Sequence, residues 1–192
     1  MTGCQITNYL LEKSRICRAG DGERSFHIFY QLCAGAADDL RQRLRLGPAT
    51  GYKYLARTGN TSVAGMDEHE MFEETEVAMN GLGFTEGEQA EIYAAAAAVL
   101  HLGNVEFESD HGASGGRGSK VAGDAASRAG LANAAFLLGV GEDALSAALT
   151  SHTLAIRGDK TMVLHDKKAA AHCRDALAKT LHVWGRRRTL SH

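Results

Sequence analysis

NYLLEKSRICRAGDGERSFHIFYQL, residues 8–32, holds two apolar runs separated by a charged, glycine-containing turn. The first run, Tyr9-Leu10-Leu11 with Ile16-Cys17, reads as strand-like and buried. In the second, Phe26, Phe29, Tyr30 and Cys33 recur at i, i+3, i+4 and i+7, the spacing of one helix face. Asp21-Gly22 between them is a turn signal. Ordinary core packing would account for both runs, so they fix local structure before they say anything of function.

Upstream, residues 3–11 alternate with apolar groups on both faces, as in a strand inside a sheet. Such a strand needs partners on either side, and a chain that starts within it is expected to belong to something larger. Downstream, a helix from about Ser25 should end near Gly35, a plausible C′ residue. Asp38–Leu46 reads as a second short amphipathic helix closed by Gly47-Pro48, which contains the single proline. Residues 52–65 read as a loop of small polar residues. Asp67 with Glu70, and Thr85 with Glu88, are capping-box signatures for two further helices. The first has Met71, Phe72, Thr75 and Met79 on its inner face. The second carries five consecutive alanines, Ala94–Ala98. Alanine has high helix propensity and a small profile, which suits close packing against a neighbour rather than a binding site.

His101-Leu102-Gly103-Asn104 should end that helix, with a strand beginning at Val105. The glycine- and serine-rich stretch 109–120 reads as a loop. It lacks the GxxxxGK[ST] spacing of a phosphate cradle. Asp124–Leu138 is helical with Gly139 as its cap, and Glu142–Leu149 forms another short helix. Thr153–Ile156 and Thr161–Leu164 then flank Arg157-Gly158-Asp159-Lys160, a four-residue hairpin turn. A last helix starts at Asp166.

Composition excludes several classes. The 192 residues are 44% hydrophobic with a net charge of −2, enough for a modest core and without a global basic signal for nucleic acid. Arg186-Arg187-Arg188 is the one clear charge run, and such runs are usually solvated. No stretch approaches the ~20 apolar residues of a membrane span, and the amino-terminal residues lack the pattern of a signal peptide. Cys4, Cys17, Cys33 and Cys173 form no CxxC pair and read as reduced thiols of a cytosolic protein. On that basis the sequon Asn60-Thr61-Ser62 and the tripeptide Arg157-Gly158-Asp159 are taken as accidents of sequence.

Residues 8–32 also resemble, almost residue for residue, one segment of the myosin motor domain, in which YLLEKSR follows switch I and ERxxHIFYQL comes a short turn later. AAVLHLGNVEF (97–107), LLGV (137–140) and CRDALAKTL (173–181) are similar to further motifs of the same family. SRIC followed by LCAGA looks most like class six myosins, although the insert of that class after the YLxR stretch is missing. The resemblance covers residues 3–181 and implies a mainly α fold: the helical upper 50-kDa subdomain of a head whose parent fold is α/β and of P-loop NTPase type, with about six or seven helices, a few short strands and one β-hairpin. Residues 1–181 would be a partial motor domain, and 182–192 a divergent basic tail.

The resemblance implies ATP and magnesium as ligands of the intact parent, and actin and the remainder of the head as partners, in a cytoplasmic, cytoskeleton-associated setting. The nucleotide motifs GESGAGKT, NxNSSRFGK and DxxGFE have no counterpart in these residues. No catalytic, cofactor-binding or metal residue is therefore carried over, and the chain alone is expected to be inactive. By resemblance, Arg157, Asp159 and Lys160 at the hairpin tip face actin, and Tyr9 and Leu10 lie near the inner end of the cleft that couples nucleotide to actin. Arg157 and Lys160 suit an acidic filament surface by charge. A small non-enzymatic helical module, actin-associated or otherwise protein-binding, is the alternative.

Overall fold

A computed structural model describes residues 12–112, 118–156 and 159–189. The body is built around one helix, α6 (Glu86–Gly103), with α7 (Ala125–Leu138) and α9 (Lys167–Thr189) against it and α2 (His27–Gly35) touching it as well. Thr85 caps α6 through the full capping box with Glu88, as the sequence predicts. Tyr93, Ala95 and every residue from Ala97 to Gly103 are buried, so α6 is surrounded over its second half. The alanine run supplies a helix surface without bulk: Ala95, Ala97 and Ala98 are buried, and Ala94 and Ala96 half-buried.

α5 (Glu68–Gly81) packs on α2. The Asp67 side chain accepts from the His69 and Glu70 amides and so starts the helix. Phe72 and Met79 are its buried residues, with Met71 and Thr75 half-buried. Gly35 is the last residue of α2 rather than a left-handed C′ position, since the chain turns extended at Ala36. A Cβ on Gly35 would collide with the Phe72 side chain, so this glycine serves the α2–α5 contact. Gly139 does terminate α7 in the left-handed conformation, with φ 66°. Asp124 caps the other end by accepting from the Ser127 amide.

Further expectations need correction. Ile16-Cys17 is not strand-like: Ser14–Cys17 forms a single turn of helix, α1, which buries both residues and gives way to extended backbone at Arg18. The second short helix, α3 (Asp38–Arg43), stops three residues early because Arg45 adopts φ 53°. Residues 52–65 are not wholly loop, because α4 (Lys53–Ala56) buries Tyr54 and Leu55. Those apolar side chains outweigh the small polar residues around them. Residues 109–120 contain strand as well as loop: β1 (Phe107–Asp110) pairs antiparallel with β2 (Gly118–Val121), with Phe107 opposite Val121. The described residues thus hold two hairpins rather than one.

The second hairpin follows α8 (Glu142–Thr150) and joins β3 (Ser151–Ile156) to β4 (Asp159–Leu164). α9 continues without a break past Leu181 to Thr189, so residues 182–189 are helical. Among the described residues no helix is long and apolar enough to cross a membrane.

Candidate functional site

The β3–β4 hairpin carries residues that the family resemblance singles out. Its register runs from Ser151 opposite Leu164 to Ile156 opposite Asp159. Asp159 and Lys160 are therefore the first residues of β4, facing Ile156 and Ala155, rather than half of a four-residue turn. Lys160 is exposed, as are Thr153, Leu154, Thr161 and Met162. Arg157 lies outside the described residues, and so do Tyr9 and Leu10. Of the hairpin residues singled out from the sequence, the structure displays Lys160 at the surface and places Asp159 beside it in the strand.

The base of this hairpin is held from three sides. The His165 amide donates to the Thr150 carbonyl at 2.7 Å, extending the ladder by one pair. Ser119 Oγ on β2 donates to the His165 carbonyl at 2.9 Å. His165 Nδ1 lies 2.9 Å from the Leu149 carbonyl at the end of α8, and His165 Nε2 lies 2.9 Å from His152 Nδ1. Asp166 then accepts from the Ala169 amide at 2.7 Å and starts α9. The first hairpin, the last helix and α8 thus converge on one residue, His165.

A buried polar knot lies on α9. Arg174 on α9 donates from Nη1 to the Val105 carbonyl at 2.7 Å, and from Nε and Nη2 to Asp175 Oδ1 at 2.9 and 2.7 Å. Tyr54 Oη donates to the same Asp175 oxygen at 2.6 Å. Burial pushes the Tyr54 phenol far above its usual range, so it stays a donor. Buried groups paired this fully hold elements in register; here α9, α4 and the chain entering β1 are tied together. Arg174 and Asp175 stand within the RDALAK stretch, but nothing in the sequence marks them as a tertiary contact with Val105 and Tyr54.

A groove of about 920 Å³ opens between α2, α5, α6 and the end of α9, lined by Phe26, Ile28, Met79, Ile92, Ala96 and Leu181 among others. Its walls are apolar and the charges at its mouth are already paired: Arg15 with Glu12 and Glu23, and Arg24 with Glu68 at 2.6 Å. The Arg24 guanidinium also lies 3.8 Å from the centre of the Tyr30 ring. Of the thiols, Cys17 and Cys33 are buried, and burial pushes Cys33 up to about 12. Cys173 is half-exposed, and Cys4 lies outside the described residues.

The sequence profile of the myosin head (motor domain) family matches residues 1–184. The chain belongs to the myosin motor-domain family. Unconventional myosin IC of Drosophila melanogaster is 42% identical over 181 residues, 94% of this chain. The myosin-I heavy chain of Dictyostelium discoideum is 40% identical over 182 residues, 95% of this chain. Class six is among the relatives too: unconventional myosin-VI of Bos taurus is 33% identical over 95% of this chain, in an alignment that spreads over 213 positions. That spread exceeds the chain's own 192 residues and accords with an insert absent here. The chain spans 17% of the Drosophila protein, 8% of the Dictyostelium protein and 16% of the Bos taurus protein.

Proposed function

We propose that this segment is the upper part of an actin-based motor head and that its β3–β4 hairpin is an actin-facing contact. The observation that carries the reading is the family match over residues 1–184 combined with a hairpin that presents Lys160 outward. Arg157 joins Lys160 by sequence position, and Asp159 sits between them in chain order. Long cationic side chains at a hairpin tip suit the acidic surface of a filament. Tyr9 and Leu10 keep their place in this reading near the cleft. ATP and magnesium belong to parts of the head that these residues do not include, so the segment contributes binding and positioning rather than chemistry, and by itself is catalytically silent. Cytoskeletal localisation follows from the same reading.

Each exposed ion pair contributes only ~0.2–1 kcal/mol, and salt screens it over ~8–10 Å. The hairpin alone is too weak to hold a filament, so the test restores the context. Residues 151–164 are grafted into a complete motor, with and without Arg157→Ala and Lys160→Ala. Actin-activated turnover should fall in the double variant and lose part of its salt dependence, while basal hydrolysis without actin stays the same. Unchanged actin activation would reduce the hairpin to a connector.

A further inference from the structure

The histidine pair at the foot of the hairpin has chemistry that the motor reading does not use. His152 on β3 and His165 just beyond β4 are diagonal neighbours on one face, because Thr150 pairs with His165 and His152 with Val163. Their rings stand 5.1 Å apart between centres, tilted by 35°, with His152 Nδ1 2.9 Å from His165 Nε2. The Leu149 carbonyl can only accept, so the proton of His165 must sit on Nδ1. Nε2 of His165 therefore carries a lone pair aimed away from the helix end. A backbone carbonyl that fixes the tautomer and orientation of an imidazole is the usual outer support of a metal-binding histidine.

We propose that His152 and His165 form a two-imidazole site for a divalent transition-metal ion of the kind that imidazole binds, nickel(II) among them. The present 2.9 Å between the two nitrogens is a direct hydrogen bond, and it shows that the register brings both imidazoles within reach of one ion. Imidazole nitrogens suit nickel(II), copper(II) and zinc(II), at metal–nitrogen lengths of about 2.0–2.1 Å. Among the described residues no group of three or more His, Cys, Asp or Glu side chains gathers to hold a metal, so water fills the remaining positions.

Binding replaces the present hydrogen bond. His152 moves its ring proton from Nδ1 to Nε2 by exchange with solvent, with no net proton lost. Its ring pivots so that both lone pairs meet at the ion. His152 is exposed and has the freedom to turn, while His165 stays fixed on Leu149. The ion would then clamp β3, β4 and the end of α8 together and set the angle at which the hairpin leaves the body. This holds whether or not the hairpin meets actin.

The test uses the full chain without an affinity tag and nickel(II) alone, which does not oxidise the thiols. Isothermal titration should show one ion per chain, with affinity reduced about tenfold or more in His152→Ala and in His165→Ala. His172→Ala, an exposed histidine on α9, should bind as the parent does. Saturating nickel should raise the melting temperature of the parent chain and of His172→Ala, but not of His152→Ala. Because His165 also anchors the hairpin, His152→Ala is the deciding variant. Affinity within twofold of the parent in His152→Ala, or an equal loss in His172→Ala, would overturn the site.

Discussion

The two hairpins have the same antiparallel architecture and opposite fates. In β1–β2, Phe107 is only 6% exposed and Ser119 8%, and the strands lie against α8 and α9. In β3–β4, Leu154 is 43% exposed and Met162 67%. The difference comes from what each face has to bury. Phe107 lies two residues after Val105, which is fully buried just past the end of α6 and tied by its carbonyl to Arg174. The first hairpin therefore closes down on the core. The second begins where α8 ends and is anchored at its foot, through His165, Ser119 and Thr150. One hairpin completes the core, and the other is carried by it.

Substitutions can break that contrast. Phe107→Ala should be the most damaging, removing a buried aromatic and leaving a cavity worth ~3–5 kcal/mol. Urea unfolding of the full chain should lose its cooperative transition or shift it strongly, and a change below about 1 kcal/mol would place Phe107 outside the core. A smaller effect should come from acid. His101 is buried against the Leu44 carbonyl at 3.1 Å, and burial first, with Arg45 nearby, lowers its proton affinity below the ordinary value of 6.5. A histidine with a depressed folded pKa is protonated more readily in the unfolded chain. Its contribution is complete above about 6.5 and is lost as pH falls below that value towards the folded pKa. Melting temperature should decline over that interval, and His101→Gln should flatten the decline; an equal slope in the variant would contradict the assignment. The smallest effect belongs to the second hairpin. Met162→Ala should change stability by no more than ~0.5 kcal/mol in the same urea experiment, and a loss comparable to that of Phe107→Ala would mean that this hairpin is also core.

The sequence made the body legible because its helices announce their own ends. Asp67, Thr85 and Asp124 are caps visible in one dimension, and Gly139 closes α7 where a left-handed residue is needed. The misread places are those where tertiary burial overrides local composition. Tyr54 and Leu55 make a helical turn inside a polar stretch. Gly118 and Ser119 enter a strand although their neighbours are glycine and serine, because Phe107 supplies a partner strand already fixed to the core. At the site, resemblance pointed to Lys160, and the structure displays that residue at the surface. The His152–His165 pair was illegible for a different reason. The two residues are 13 apart in sequence, and nothing joins them until the register of β3 and β4 is known. With the strand pairing in hand, their diagonal placement follows directly.

Hydrogen exchange on a complete motor carrying this segment tests the division between the hairpins most directly. Exchange at residues 107–110 and 118–121 should already be slow without actin and remain unchanged on binding. Amides in β3–β4 should exchange fast in the free motor and slow on filament binding, most of all near Lys160. No actin-dependent slowing in β3–β4, or slowing confined to β1–β2, would contradict a filament-facing second hairpin.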